Sequence, residues 1–270
     1  MDKFYVITNV PKDKDLQTTM FVKKCIESHG KKCILSVDEP EFPEGCDCVL
    51  VLGGDGTLIR AARELLLQDV PMIGINLGTL GYLAEVEMQN IESAIAHIIH
   101  EQLMVEERMM LNGVVCGQHE DSALNDIVLT RLGTLRVIRF NIYVNGKLLN
   151  RYQADGVIIS TPTGSTGYNL SAGGPIVQPT AQMIVITPIC SHALNTSSIV
   201  LSADDEIVIE IGQGRDGKLE EAGVSFDGDH HLQVKTGDRI VIRKSKHTTK
   251  LLKLSKESFL ETLRKKMKGN

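Results

Sequence analysis

No window of ~18 apolar residues exists in this chain, which excludes a membrane-spanning helix by length alone. The opening Met1-Asp-Lys-Phe4 also has no basic segment leading into a cleavable apolar stretch. These absences place the protein in the cytoplasm as an expectation, with no membrane partner. Positive charge is in deficit, with 29 Lys and Arg against 34 Asp and Glu and a net charge of -5, so binding nucleic acid through an overall field is not expected. Cysteine gives no framework. The six residues Cys25, Cys33, Cys46, Cys48, Cys116 and Cys190 are scattered, and Cys46 with Cys48 has neither redox nor zinc spacing, so free thiols are expected. Internal repeats and low-complexity tracts are missing too. What remains, 270 residues at 42% hydrophobic and 23% charged, is an ordinary globular composition with room for two medium domains.

The first hundred residues alternate strand and helix. Phe4 to Thr8 reads as a strand, Leu16 to His29 as a helix ending at Gly30, and Cys33 to Val37 as a second strand. Cys48 to Leu52 is an unbroken apolar run, the pattern of a parallel strand covered on both faces. Leu58, Ala61, Ala62, Leu65 and Leu66 then recur at helical spacing, and the pair Met72 to Ile75 and Ile91 to His100 repeats the step. This order predicts a right-handed, mostly parallel α/β sheet. From Leu103 the period changes. Val105 to Val115, Ile127 to Arg131, Leu135 to Val144, Val157 to Ser160, Ile184 to Thr187, Glu206 to Ile211 and Arg239 to Arg243 read as strands, with Asn145-Gly146 as a two-residue hairpin turn. Ser255 can cap a final helix through Lys268, expected to return to the first domain.

Gly53-Gly-Asp-Gly-Thr57 sits where the buried strand must turn into a helix. Such a turn aims backbone N–H groups and a helix N-terminus at an anion. Asp55 would repel a phosphate placed there unless a metal or a reacting hydroxyl lies between them, which points to phosphoryl transfer. A turn that merely needs glycine, with Asp55 capping the helix, accounts for the five residues equally well. A glycine-bearing loop, Asn76 to Glu85, leaves the next strand at its carboxyl end, where open α/β sheets bind ligands.

A second chemical centre lies in the β-rich part. Thr163, Ser165 and Thr166 offer hydroxyls, Gly164 lets a ligand approach the backbone and Tyr168 offers an aromatic face, a set that suits a nucleoside. Asn125-Asp126 pairs an amide with a carboxylate, suited to a base and ribose hydroxyls. Each also reads as ordinary turn chemistry.

Taken together, Gly53-Gly-Asp-Gly-Thr57, Ile73 to Leu83, Leu124-Asn-Asp126, Asp155-Gly156, Thr161-Pro-Thr-Gly-Ser-Thr166 and Ser171 to Ile176 resemble the NAD kinase family, in that family's order and over nearly the whole chain. The first motif is shared in similar form by diacylglycerol and sphingosine kinases and phosphofructokinases. The threonine-serine-glycine stretch is far more specific. The resemblance implies transfer of the γ-phosphate of ATP to the adenosine ribose 2′-hydroxyl of NAD, with a divalent metal, most simply Mg. It implies a Rossmann-like α/β domain (1–101 with 255–270) and a C-terminal β-sandwich that binds NAD and mediates oligomerisation (102–254). The expected assembly is a homo-oligomer, a tetramer, with sites between domains and subunits. Carried onto this sequence, it makes Asp55 catalytic, with Gly54, Gly56, Thr57 and Arg60 binding substrate beside it. Asn125 and Asp126 would hold adenosine, and Thr163, Ser165, Thr166, Gly167 and Tyr168 would line its pocket. Asp155 would reach the site from a neighbouring chain, and the polar Gln153 two residues before it, where members that also accept NADH tend to have glycine, implies a preference for NAD over NADH. Departures are small: Asp126 stands where glutamate is common, Gly167 for alanine, Ala154 for glycine and Ser191 for proline. A lipid or sugar kinase with the same first motif, or an NAD-binding regulator without catalysis, are the alternatives.

Gly212-Gln-Gly-Arg-Asp-Gly217 matches a dinucleotide fingerprint, but no sustained amphipathic helix follows, so a hairpin loop is expected. Asp227-Gly-Asp-His-His231 reads first as a turn, with Asp227 as a peripheral candidate near the nucleotide. The basic Arg264 to Lys268 suits a solvated helix end.

Overall fold

The structure is a computed structural model that describes all residues except 79–80, 102, 134–136, 193–196, 255–257 and 268–270, and the side chain of His230. The chain divides into two compact units, Met1–Glu107 with Thr249–Asn270, and Arg108–Thr248.

In the first unit β1 (Lys3–Thr8), β2 (Lys32–Leu35), β3 (Cys48–Gly53), β4 (Met72–Asn76) and β5 (Ala84–Glu87) form a parallel sheet, with neighbours in the order β2-β1-β3-β4-β5. Helices α1 (Gln17–Ser28) and α2 (Asp55–Glu64) supply the crossovers from β1 to β2 and from β3 to β4, and α3 (Ile91–His100) follows β5. Every residue of β3 is buried, as the unbroken apolar run requires. The core gathers Phe4, Val6, Leu50, Leu52 and Ile75 with Val22 and Ile26 of α1 and Ile95 and Ile98 of α3. After α1, Gly30 takes φ +71°, the left-handed cap that lets the chain turn back into β2. The sheet grows outward from β1 in both directions. β1 leads through α1 to β2 on one side, whereas β3 lies on the other and leads through α2 to β4. The crevice outside the carboxyl ends of β1 and β3 is therefore a topological switch point, the place where open α/β sheets bind ligands.

The second unit is almost all antiparallel. One sheet runs β13 (Ile199–Ser202), β12 (Met183–Ile189), β11 (Gly156–Ser160), β8 (Asp126–Arg131), β15 (Glu221–Phe226), β16 (Asp229–Lys235). The other strands are β6 (Met104–Val115) with β7 (His119–Ala123), and β9 (Ile138–Val144), β10 (Lys147–Ala154) and β14 (Ile207–Ile211) beside β17 (Arg239–Lys253). Ile127, Leu129, Val157, Ile159, Ile184 and Ile186 pack with Phe140, Ile142, Ile207 and Ile240 in one core, as inward faces of two sheets do. The hairpin at Asn145 (φ 49°) and Gly146 (φ 76°) has the two left-handed residues of the expected tight turn. A short helix α4 (Tyr168–Ser171) follows β11.

Both expected classes, the parallel α/β sheet and the β-rich unit, are present. Three strands were not anticipated. β5 is four residues long and falls in the stretch taken as loop, β7 is largely polar, and β13 is four partly exposed residues; they pair with β4, β6 and β12 respectively. The last strand, β17, carries Leu251 to a parallel pairing with Met72 in the first unit, and α5 (Phe259–Met267) follows in that unit. Ser255 and Lys268, the expected ends of that helix, lie outside the described residues, as does Leu135. The described cap is a reciprocal one. The backbone N–H of Ser258 donates to the Glu261 carboxylate (2.7 Å), and the Glu261 N–H donates to the Ser258 hydroxyl (3.3 Å). Gly212 to Lys218 forms a turn with one 3-10 segment, Arg215–Gly217, and no longer helix. All six cysteines are free. Among the described residues no helix is long and apolar enough to cross a membrane.

Candidate active site

Asp55 is the first residue of α2, but it does not cap that helix: Gly54 is the cap residue and no side chain bonds there. The carboxylate turns instead toward the loop after β4. Its Oδ2 accepts the backbone N–H of Tyr82 (2.7 Å), and its Oδ1 accepts those of Leu83 (3.1 Å) and Ala84 (3.4 Å). The loop is shaped for this. The Asn76 side chain donates to the Gly78 carbonyl (2.8 Å) and accepts the Gly78 N–H (3.0 Å), and any side chain at Gly81 would collide with the Asp55 carboxylate. With one donor on Oδ2 and two on Oδ1, the carboxylate is oriented and Oδ2 keeps a lone pair for a further donor.

Around Asp55 lies a cavity of about 390 Å³ at the switch point, lined by Gly54, Gly56, Thr57, Arg60 and Gly81 together with Asn9 and Lys12. The last two were not anticipated. Asn9 follows β1 directly and Lys12 ends the 3-10 turn after it, and the Asn9 amide donates to the Thr57 hydroxyl (3.0 Å), tying the end of β1 to the start of α2. Lys12 and Arg60 bring positive charge to a helix N-terminus, an arrangement suited to phosphate. The general rule that ligands sit outside the carboxyl ends of strands could have drawn attention to both.

In the second unit the chain around Asn125 and Asp126 is held from two sides. The Asp227 carboxylate accepts three successive backbone N–H groups, from Leu124 (2.8 Å), Asn125 (2.7 Å) and Asp126 (3.1 Å). Asp227 itself stands at φ 52° in the turn between β15 and β16, followed by Gly228 at φ 80°, so the turn reading and the clamp are the same feature. From the other side the Thr161 hydroxyl donates to the Leu124 carbonyl (2.6 Å) and accepts the Gly164 N–H (3.0 Å). Gly164 packs so tightly on the Asn125 carbonyl that no Cβ fits. Asp126 is 5% exposed, and burial, with the nearby Asp227 charge second, pushes its carboxyl up to about 7.

The hydroxyls of the following stretch have unequal surroundings. Ser165 is fully buried and donates to the Pro162 carbonyl (2.7 Å) while accepting the Val177 N–H (3.0 Å), which fixes the turn from behind. Thr163 is buried beside Arg108, whose guanidinium donates to it (3.4 Å). Thr166 donates to the Thr163 carbonyl (3.5 Å), and a methyl on Gly167 would come within 3.7 Å of the Asn125 amide. Tyr168 is 46% exposed at the start of α4. Asn125, Asp126 and the turn from Thr163 to Gly167 are thus neighbours.

Asp155 and Gln153 are not with them. In the pairing of β8 with β11, Asp126 stands opposite Ser160, whereas Gly156 stands opposite Thr130. Four strand steps separate the two ends, ~13 Å at about 3.3 Å per residue. Asp155, one residue further out, pairs with Arg131 (3.0 Å). Gln153 faces a separate cavity of about 820 Å³ shared with Arg139, His192, Arg215 and Lys218.

Two family descriptions match the chain: ATP-NAD kinase N-terminal domain over residues 5–103 and ATP-NAD kinase C-terminal domain over residues 124–254. An NAD kinase of Agathobacter rectalis is 48% identical over 282 residues, covering 100% of this chain and 99% of that one. One of Lachnospira eligens is 44% identical over 293 residues, covering 99% and 100%. Among solved structures, yeast NADH kinase complexed with NADH superposes with a TM-score of 0.86 at 23% identity, over 100% of this chain and 88% of that one. An NAD kinase from Archaeoglobus fulgidus in complex with ATP superposes with a TM-score of 0.78 at 24% identity, over 94% of each.

Proposed function

The chain belongs to the NAD kinase family, and from that premise we propose how its residues carry the reaction. The chain is an enzyme that transfers the γ-phosphate of ATP to the 2′-hydroxyl of the adenosine ribose of NAD, giving NADP and ADP. The observation that carries the assignment of roles is the fixed Asp55 carboxylate beside Lys12, Arg60 and the Gly54 turn. Asp55 Oδ2 takes the proton of the attacking 2′-hydroxyl. The oxygen bonds to the γ-phosphorus, the bond from that phosphorus to the β,γ-bridging oxygen breaks, and ADP leaves with the electron pair. Lys12, Arg60 and the N–H groups at the start of α2 hold the phosphates in line.

Among the described residues no group of three or more His, Cys, Asp or Glu could hold a metal ion. Phosphate oxygens and water are nevertheless a donor set that Mg accepts, so the donor's phosphates would hold a divalent ion beside Asp55, whose free Oδ2 lone pair is given to the hydroxyl. When bound, such an ion would neutralise part of the charge on the donor's phosphates.

Asn125 and Asp126 recognise the adenosine of NAD, with Thr163, Thr166, Gly167 and Tyr168 lining its pocket, and Ser165 shapes that lining from behind. Asp155 serves a neighbouring chain's site, because its position at the far end of β11 keeps it from Asp126 of its own chain. This favours a homo-oligomer, which we take to be a tetramer working in the cytoplasm. The α/β unit is assigned to the donor phosphates, the β-rich unit to NAD and to assembly.

The test is direct. The pure protein, ATP, Mg and NAD should yield NADP, read by an NADP-specific dehydrogenase, with one ADP formed per NADP. ATP consumed with a lipid or sugar but not with NAD would replace this reading with the lipid or sugar kinase one.

A further inference from the structure

The C-terminal segment returns to the loop that holds Asp55. In the first unit β17 joins β4 in parallel with Leu251 opposite Met72, on the edge of β4 away from β3. β5 takes the same edge two residues further on, with Ala84 opposite Gly74. Lys253, two residues beyond Leu251, therefore arrives where β5 begins. There its ammonium pairs with the Glu85 carboxylate, and both side chains are largely shielded, at 17% and 10% exposure. Helix α5 follows. Phe259, Thr262, Leu263 and Lys266 recur at helical spacing and are its less exposed residues, although none is buried. Lys266 places its ammonium over the Tyr82 ring, 5.4 Å from the centroid. The basic run that ends α5 reads in the sequence as solvated, and Lys266 departs from that reading, because a cation at this distance is attracted by the face of the ring.

The two contacts bracket the residues that orient Asp55. Its carboxylate accepts the N–H groups of Tyr82, Leu83 and Ala84, at 2.7, 3.1 and 3.4 Å. Lys266 holds the first of these residues by its ring, and Lys253 holds Glu85, the residue after the last. The ladder between β4 and β5 shifts register between Gly74 and Ile75, so strand pairing alone supports this backbone irregularly. Neither lysine is among the residues that line the cavity around Asp55, and their effect on the reaction runs through the loop. A shift of the loop by about 1 Å carries the Asp55 oxygen with it, and misplacement on that scale can cost about 100-fold in rate.

We propose that Lys253 and Lys266 are positioning residues for phosphoryl transfer: from the C-terminal segment they brace the backbone of residues 82–85, whose amides hold Asp55 Oδ2 where the hydroxyl proton must go. The proposal rests on the kinase reading above and extends its machinery to the far end of the chain. Lys266→Met keeps the length of the side chain without its charge, and α5 has no buried residue whose packing it disturbs. It should lower kcat about threefold with KM for ATP and NAD little changed, whereas Lys266→Arg, which keeps a cation over the ring, should recover most of that turnover. Lys253→Met should cost about 10-fold in kcat by the same route. When Lys266→Met is combined with Tyr82→Leu, the double variant should be no slower than Tyr82→Leu alone, because each change removes the same contact. Amide exchange followed by NMR reads the brace without turnover. The N–H groups of Tyr82, Leu83 and Ala84 should exchange faster in Lys266→Met, with those of β3 unchanged. Wild-type kcat or wild-type exchange in Lys266→Met overturns the proposal, as does a loss of kcat fully additive with that of Tyr82→Leu. If Lys253→Met fails to fold, Lys266→Met decides alone. The two readings fail separately. Wild-type protein that makes no NADP defeats the NAD kinase assignment, whereas one that makes NADP with Lys266→Met equally active defeats the brace alone.

Discussion

Asp55 shows how much a single carboxylate's neighbours decide. Three backbone N–H donors fix its plane, and a group so held is effective in the transition state because it needs no reorganisation at the moment of reaction. Asp55→Asn should therefore lower kcat by at least ~100-fold while leaving NAD affinity nearly unchanged, measured by steady-state kinetics and by equilibrium binding. Equal losses in both would make Asp55 a structural residue. Gly81→Ala pushes a methyl into the same carboxylate and should cost roughly 100-fold in kcat by misplacement, with the thermal transition still cooperative. Gln153 carries a different expectation. Family members strict for NAD resemble this chain in having a polar side chain there, so NAD should be preferred to NADH, and Gln153→Gly should narrow that preference. Comparable kcat/KM for both dinucleotides in the wild type would remove the argument. At this scale the sequence was informative where chemistry is written in a motif. Asp55 and Asn125 with Asp126 could be singled out by motif, whereas Asn9 and Lys12 lie in no motif and were within reach only through their place after the carboxyl end of the first strand, which becomes a pointer once the strand order is known.

Among the elements, the turn between β15 and β16 has the clearest consequences. Its Asp227 lies about a hundred residues along the chain from the amides it receives, so no local reading of Asp-Gly shows more than a hairpin turn. Asp227→Gly accepts the left-handed φ of that turn but leaves three amides without their acceptor. It should destabilise the protein by about 2 kcal/mol or more and raise KM for NAD, seen by urea melts and kinetics; an unchanged melt would show that water replaces the clamp without cost. The neighbouring Asp126 supplies a pH dependence. Its carboxyl is raised from an ordinary 3.8 to about 7, so between those values the folded state binds more protons than the unfolded one. The stability contributed by the neutral form is fully present below about 4 and is lost as pH rises through about 7. Asp126→Asn should flatten that part of the stability profile, and a profile that keeps its slope would assign the protons elsewhere. The strands missed by reading have two physical reasons. In β7, His119, Glu120 and Asp121 are polar in succession and show no strand period, whereas β5 and β13 are four residues each, too short for a period to stand out; in all three the hydrogen bonds of a partner strand, invisible in one dimension, hold the backbone extended.

For the whole molecule, the two fold classes were legible because hydrophobic period and strand-helix order change near residue 103, whereas the opposite placement of Asp155 and Asp126 needed the register of β8 with β11. If the working site takes Asp55 from one chain and Asp155 from another, Asp55→Asn and Asp155→Asn should each be nearly inactive yet complement when re-assorted. A two-fold interface joining one of each holds one doubly altered site and one unaltered site. Equal mixing makes about half the interfaces mixed, so about one quarter of all sites should recover after co-expression or joint refolding. No recovery after verified subunit exchange would confine both carboxylates to one chain, and full activity of Asp155→Asn alone would make that residue dispensable.

If Asp155 is borrowed in this way, the strand that keeps it from Asp126 of its own chain also governs how output scales with abundance. A site borrowed from a neighbour exists only in assembled protein, so by mass action turnover per chain falls on dilution below the assembly's dissociation constant, even with both substrates saturating. Halving the protein in that range removes more than half of the product made. With a shared site, a five-residue strand that carries Asp155 away from Asp126 would turn the rate of phosphorylation into a steep reading of how much enzyme is present.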